Sequence, residues 1–177
     1  MAIHPLNAFK YCPKCGSSQF DIYDAKSKKC QVCNFHYFSN ASAAVGAFIC
    51  NSKGQLLLCK RAFPPAQNML DLPGGFVDIN ETAEQALVRE LNEELDINCT
   101  SYHYCTSFPN TYLFSNFTVH TLDLFYEVQL PKDSSIKVHD DVSDYQFWDI
   151  QAIPLEKIGL NSIRQAIQYY QALKSKT

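Results

Sequence analysis

Residues 75–97 read Gly75-Phe-Val-Asp-Ile-Asn-Glu81-Thr-Ala-Glu-Gln-Ala-Leu-Val-Arg89-Glu90-Leu-Asn-Glu93-Glu94-Leu-Asp96-Ile97. Ala83, Leu87, Leu91 and Leu95 recur every four residues, so Thr82–Leu95 is predicted to form a helix with one apolar stripe. Thr82 is placed to cap its start, with Glu84 in the first turn. Residues three and four apart share a helix face, so Glu90, Glu93 and Glu94 project together. With Asp71, Asp78, Glu81, Glu84 and Asp96 they form an acidic cluster opposed locally only by Arg89. An arbitrary acidic helix turns such a face to water. Hard divalent cations such as Mg²⁺ or Mn²⁺, which favour oxygen ligands, would give the same carboxylates a purpose. Such ions also bridge the oxygens of a diphosphate and neutralise charge as water attacks phosphorus. The Gly74-Gly75 bend ahead of the helix lets backbone approach a metal or a phosphate closely.

The spacing is more specific than the composition. Gly75 is followed after five residues by Glu81, and after seven more by Arg89-Glu90-Leu91, Asn92, Glu93-Glu94, Leu95, Asp96 and Ile97. This register resembles the Nudix box of the Nudix hydrolase family, with one departure: Asp96 stands where the family usually has Gly. Asp tolerates the left-handed backbone expected at a helix end, so the departure bears on the turn more than on the chemistry. Ala43–Arg61 looks like the family's opening hairpin, and Asp71–Gly75 like its approach to the loop. The resemblance implies a metal-dependent hydrolase of phosphoric anhydride bonds in a Nudix-type α/β/α sandwich with a mixed β-sheet. It implies Glu90, Glu93 and Glu94 as Mg²⁺ or Mn²⁺ ligands, with the Gly74 carbonyl nearby. Glu81 and Arg89 would pair to hold the loop on the helix, a supporting role shared with Gly74 and Gly75. Glu93 is the local candidate for general base. Branches of the family also use a later carboxylate, and the stretch Val138–Asp144 ahead of Phe147-Trp148 resembles that region of the NADH diphosphatase branch. Aligning Phe147 with that branch's Trp selects Asp141; aligning Trp148 selects Val142, and His139 or Asp144 are alternatives.

Outward from the box, Ala43–Cys50 and Gln55–Lys60 flank an Asn-Ser-Lys-Gly turn and read as a β-hairpin. Strand-like runs follow at 101–108, 117–130 and 144–150. Ile163, Ala166, Ile167 and Tyr170 mark a closing helix over 161–173, with Asn161 or Ser162 as its cap. Periodicity alone reaches only α/β or α+β.

Before residue 40 the composition changes. Cys12-Pro-Lys-Cys15 and Cys30-Gln-Val-Cys33 form two tight pairs, each followed by a turn residue, Gly16 and Asn34. Four thiolates in this spacing suit tetrahedral Zn²⁺ with no open coordination position, which makes the site structural. We therefore expect a zinc ribbon over residues 1–40 and a Nudix domain over 41–177. The ribbon is similar to the one preceding the catalytic domain in NADH diphosphatases. His4 and His36 are surplus to a complete shell, and Cys50, Cys59, Cys99 and Cys105 are expected as small core residues.

The chain's 15 basic and 18 acidic residues leave a net charge of −3, which argues against a broad grip on nucleic acid. No stretch approaches the roughly 20 apolar residues of a membrane span, and the N-terminus lacks secretory features, so a cytoplasmic protein is expected. The substrate is expected to be a small nucleotide, a nucleoside diphosphate linked to another moiety, of the NADH/NAD, ADP-ribose or ADP-sugar type. NADH diphosphatases carry Ser-Gln-Pro-Trp-Pro-Phe-Pro-x-Ser after the box, whereas this chain has Ser107-Phe-Pro-Asn-Thr-Tyr-Leu-Phe-Ser115, which departs from it. Phe108 and Tyr112 are candidate stacking partners for a base, though each also suits a core. A second class is a non-catalytic ligand sensor or nucleic-acid-binding regulator, for which the ribbon's small positive excess is the only hint. A homodimer through the ribbon is a third arrangement; the intact box favours the enzyme.

Overall fold

The computed structural model describes residues 4–130, 135–139 and 141–176. Residues 1–3 of the expected ribbon and Asp140 of the acidic loop lie outside them. A small antiparallel sheet comes first, from β1 (Phe20–Asp24), β2 (Ser27–Cys30) and β3 (His36–Phe38). A six-stranded mixed sheet follows, from β4 (Ser42–Cys50), β5 (Leu56–Arg61), β6 (Leu70–Asp71), β7 (Tyr102–Phe114), β8 (Phe117–Gln129) and β9 (Val142–Trp148). The helices α1 (Ala83–Leu95) and α2 (Asn161–Lys174) pack on its opposite faces.

Alternation along the central strands builds both layers at once. Val45, Ala47 and Ile49 of β4, with Leu57 and Cys59 of β5, pack with Ala86, Leu87, Leu91 and Leu95 of α1. Phe48, Leu56 and Leu58 turn the other way, onto Ile163, Ala166, Ile167 and Tyr170 of α2. The result is an α/β/α sandwich, as the family resemblance implied. Cys59 and Cys99 are buried and Cys50 and Cys105 partly so, in keeping with core cysteines.

The expected hairpin of β4 and β5 forms only in part: the strands pair at a single position, Cys50↔Leu56. β4 instead pairs in parallel with β8 along its whole length, and β5 pairs with β9 and β6. The free edge of β4 is taken by the glycine loop, through Val45 N–H to the Gly75 carbonyl at 2.8 Å, Ala47 N–H to Pro73 at 2.9 Å, and Val77 N–H to Ala43 at 3.0 Å. Three backbone groups of β4 that leave the hairpin find new partners in this loop, as burial favours. The loop thus wedges β4 from β5 and enters the interior.

Three further expectations need correction. The 101–108 strand continues to Phe114, because Ser115 and Asn116 both take positive φ and close a two-residue hairpin onto β8. The last strand begins at Val142 rather than 144. Neither Asn161 nor Ser162 caps α2; Leu160 is the N-cap and makes no side-chain cap bond. The Ser162 hydroxyl donates to Asp123 Oδ2 instead, so a buried carboxylate has outcompeted the helix end.

Candidate metal and phosphate site

Helix α1 begins with a reciprocal capping box. Thr82 Oγ1 accepts from Gln85 N–H at 3.2 Å while Gln85 Oε1 accepts from Thr82 N–H at 2.9 Å. It ends with Asp96 in the left-handed region, φ 59°, where Asp96 N–H donates to the Asn92 carbonyl and Ile97 N–H to Leu91. The departure from glycine is accommodated by the backbone conformation anticipated for it. Lys137 Nζ sits 2.9 Å from Asp96 Oδ2 and covers the turn.

Between these ends the helix presents its carboxylates to the glycine loop. Arg89 is the hub. Its Nε and Nη2 each donate to Glu81 at 2.9 Å, its Nη1 reaches Glu90 at 2.8 Å and Glu93 at 3.0 Å, and its Nη2 also binds the Phe76 carbonyl at 2.9 Å. One guanidinium fork therefore ties helix to loop, and the Glu81–Arg89 pair expected from the sequence is present. The arginine bonds, together with the N–H of Asp78, hold the Glu81 carboxyl down to about 2.

Glu94 is the buried member. It is 6% exposed and accepts one hydrogen bond, from Gly74 N–H at 2.9 Å. Burial pushes its carboxyl well above the usual range, and Glu90, Asp71 and Asp141 push the same way. Burial also raises Glu90, against the Arg89 bond, and Glu93 and Asp141 add to the rise. Glu93, 46% exposed on its side chain, stays on the solvent side of Arg89. A side chain at Gly74 is excluded: φ is 138° and a Cβ would lie 2.2 Å from the Val45 carbonyl oxygen. A Cβ at Gly75 would lie 2.5 Å from Glu90 Oε1, so glycine there admits the carboxylate.

Among the described residues, these carboxylates do not close into a three-ligand group within 4.8 Å. Arg89 engages both Glu90 and Glu93. The donor set nonetheless suits a hard divalent cation. A buried carboxylate with no cationic side chain bonded to it among the described residues, and with further carboxylates nearby, carries an electrostatic cost that such an ion would offset.

Glu94 and Asp141 open into a cavity of about 140 Å³ that also takes in Gly74, Gly75, Phe76 and Tyr112. Three buried polar residues line it that the sequence did not single out: Asn110, Thr121 and Asp123. Their signal was present as polar residues inside strand-like runs, but only the β7–β8 register, with Asn110 opposite Thr121, brings them together. Arg61 and Asp71 form an ion pair in the same wall. Phe108, the other candidate stacking residue, packs against Phe125 and Tyr169 and does not line the cavity. Asp144 is placed on β9 opposite Lys60, and His139 donates its backbone N–H to the Glu94 carbonyl.

The four N-terminal cysteines converge. Their sulfurs all lie within 4.8 Å of one another, with Cys12–Cys33 at 3.7 Å and Cys15–Cys30 at 3.6 Å. The two knuckles are built alike: Gly16 N–H donates to the Cys12 carbonyl and Asn34 N–H to Cys30, with φ of 75° and 58°. The Cys33 N–H is the largest influence on the Cys30 thiol, drawing it down to about 6. Cys15 is pushed up to about 12: the Ser17 N–H lowers it, but burial and the other three sulfurs outweigh that. Four sulfurs so close compete for protons, a conflict that a divalent cation with thiolate affinity resolves. His4 and His36 are engaged elsewhere, with the Asp24 carbonyl and the Ser27 hydroxyl.

An α/β/α sandwich in which a glycine loop meets an Arg-clamped acidic helix defines the Nudix class of hydrolase architecture. The NUDIX domain pattern matches residues 41–170, and the chain belongs to the Nudix hydrolase family. It is 23% identical over 167 residues to the NAD-capped RNA hydrolase NudC of Pseudomonas fluorescens, covering 92% of this chain and 56% of that protein. It is likewise 23% identical over 170 residues to NudC of Pseudomonas aeruginosa, covering 94% and 57%. The chain thus spans little more than half the length of these curated relatives. A NUDIX hydrolase from Nitrosomonas europaea superposes with a TM-score of 0.70 at 23% identity, covering 92% and 90% of the two chains. The NUDIX domain of Shewanella oneidensis NrtR, solved in complex with ADP ribose, gives 0.62 at 22% identity, covering 79% and 91%. No helix among the described residues is long and apolar enough to cross a membrane.

Proposed function

We propose that this chain is a divalent-metal-dependent pyrophosphohydrolase that cleaves a nucleoside diphosphate linked to another moiety. The observation that carries the reading is Glu94: a buried carboxylate held by the Gly74 N–H, with the Glu90 and Asp141 carboxylates acting on it, lining a cavity that also contains Arg61, Asn110 and Tyr112. Glu90 and Glu94 would hold Mg²⁺ or Mn²⁺, with Glu93 contributing once released from Arg89. The bound ion would supply Lewis-acid neutralisation of phosphate charge.

The chain's own groups do the rest. Arg89 fixes the loop relative to the helix through Glu81 and Phe76, so Gly74 presents its N–H to Glu94 at a set distance. Asp141, exposed at the cavity wall, would take a proton from water, with Glu93 the local alternative for that role. Tyr112 lines the same space and would stack on a base. The NAD-capped RNA in the NudC relatives' name and the ADP ribose bound to the Shewanella domain support a substrate with an adenosine diphosphate linked to a further sugar. Cys12, Cys15, Cys30 and Cys33 would hold a structural Zn²⁺ in a ribbon unit ending near residue 40, ahead of the catalytic unit.

The test is a panel of NADH, NAD, ADP-ribose, ADP-sugars, diadenosine polyphosphates and nucleoside triphosphates, assayed with Mg²⁺ and with Mn²⁺. Glu94→Gln should lose at least about 100-fold in kcat, and Mg²⁺ or Mn²⁺ should raise the Tm of the wild type but not of this variant. Wild-type turnover in Glu94→Gln removes the metal assignment, and no hydrolysis of any compound removes the activity.

A further inference from the structure

Asn110, Thr121 and Asp123 are 4%, 3% and 6% exposed, yet Asn110 Nδ2 and Oδ1, Thr121 Oγ1 and Asp123 Oδ1 have no hydrogen-bond partner among the described residues. A buried polar group left unpaired costs roughly 1–3 kcal/mol, and folded proteins carry few of them. Here four such atoms on two adjacent strands all border the same cavity as Glu94. Asn110 and Thr121 are register partners in the β7–β8 ladder, and Asp123 is anchored through its other oxygen by the Ser162 hydroxyl of α2. The cluster shares one face of the sheet, and its bonding capacity is unspent among the described residues.

That capacity has a definite pattern. Asn110 Oδ1 and Asp123 Oδ1 accept, Asn110 Nδ2 donates, and Thr121 Oγ1 does either. Two acceptors on one cavity wall can be satisfied by the two hydrogens of one conjugated NH₂ group, and the donors of the same wall by an acceptor next to that group. Asn pairs in this bidentate way with an amino nitrogen and adjacent ring nitrogen of adenine, and Asp accepts from base amino groups. Phe125, Leu72, Leu160 and Ile163 supply apolar wall around the cluster, and Tyr112 and Phe76 add aromatic faces. Flat apolar walls favour a planar heterocycle over a sugar diol, which would meet the same polar atoms but gain little from the rings.

We propose that Asn110, Thr121 and Asp123 form a specificity subsite that reads a conjugated NH₂ group beside a hydrogen-bond acceptor, carried on the planar ring of the nucleotide substrate. Two sources offer this chemistry: an amino-substituted base such as adenine, or the carboxamide of a nicotinamide ring. The subsite deepens the hydrolase reading and rests on it for the placing of the phosphates at Glu94.

Equilibrium binding of mononucleotides reads the subsite apart from hydrolysis, so failure of turnover and failure of the subsite are separate results. Calorimetry on the intact chain would compare adenosine 5′-monophosphate, nicotinamide mononucleotide, inosine 5′-monophosphate and ribose 5-phosphate. Inosine replaces the amino donor by a carbonyl, and ribose 5-phosphate keeps the diol and phosphate without a ring. Adenosine 5′-monophosphate or nicotinamide mononucleotide should bind at least about tenfold more tightly than the other two, because a site built to hydrogen-bond rejects an analogue that leaves it unpaired. Whichever of the two binds more tightly identifies the source. Asn110→Leu should erase the preference. Asp123→Asn, which keeps the acceptor for Ser162 and adds a donor to the cavity, should shift it toward inosine 5′-monophosphate. The shift in this isosteric variant keeps the test decisive if Asn110→Leu fails to fold. Equal binding of all four compounds, ribose 5-phosphate as tight as the best ligand, or no detectable binding of any overturns the proposal. So does a preference unchanged in both variants.

Discussion

A Cβ at position 74 would stand 2.2 Å from the Val45 carbonyl oxygen and would sit on a backbone at φ 138°, so Gly74→Ala must push the loop off β4. The N–H that holds Glu94 moves with it. We expect Gly74→Ala to lower kcat at least about 100-fold, since small displacements in a positioned site carry such costs, with KM changed much less. Near-wild-type kcat would show that the loop has no part in placing the carboxylate. Glu81 makes a different, pH-dependent contribution. Its carboxyl is held at about 2 in the folded chain against an ordinary value of 4.5. A depressed folded value stabilises above the unfolded value, and that stability is lost as pH falls from about 4.5 toward 2. Glu81→Gln should therefore be less stable than wild type near neutrality, with the Tm gap narrowing through this acid window. A gap that stays constant down to about pH 2.5 would mean the Arg89 bonds give Glu81 no ionic stabilisation.

At the scale of one element, α1 was legible in detail. Its apolar stripe, Thr82 cap and left-handed end at Asp96 all follow from local spacing, because a helix is built from contacts within a few residues. Thr82→Ala removes one half of the capping box and should cost about 1 kcal/mol in chemical denaturation. Asp96→Gly trades a small relief of left-handed strain against the Lys137 contact and should alter stability by under about 1 kcal/mol. Asp96→Val cannot take φ 59° without strain and should cost more than either. Equal stability of the Gly and Val variants would show that the turn does not demand the left-handed region. The strands were less legible. The β4–β5 turn was read correctly, but their pairing was not, because the glycine loop and β8 compete for the same edges from far along the chain. The Ser115-Asn116 turn was missed because Ser-Asn is a weaker hairpin signal than Asn-Gly.

Across the whole molecule the cysteine cluster and the carboxylate site lie on different sheets, and their thiolate and carboxylate donors suit different metals. The proposed zinc would supply folding energy to a unit with a small core, here Cys12, Phe20 and Cys30 with Cys33 and Phe35 beside them. A strong chelator should release one zinc per chain and expose Lys28 and Lys29 to trypsin, while the segment from Ser42 onward keeps its strand and helix signal. Loss of all structure on chelation would instead make the two units one cooperative body. Lys28, buried and bonded to the Phe9 carbonyl, is the most telling of the cleavage sites. By itself the sequence determined the chemistry-bearing groups: the four thiols, the helix with its glutamates, the Arg89–Glu81 clamp and the turn at Asp96. Each depends on neighbours a few residues away or on a long motif in fixed register. Only the tertiary structure decided that Glu94 is buried while Glu93 is not, that the Pro73–Val77 loop takes the edge of β4, and that Tyr112 faces the cavity while Phe108 packs away from it. It alone gathered Asn110, Thr121 and Asp123. Those outcomes depend on strand register and on α2 arriving from the far end of the chain, and side chains that meet across a sheet leave no periodic trace along a single strand.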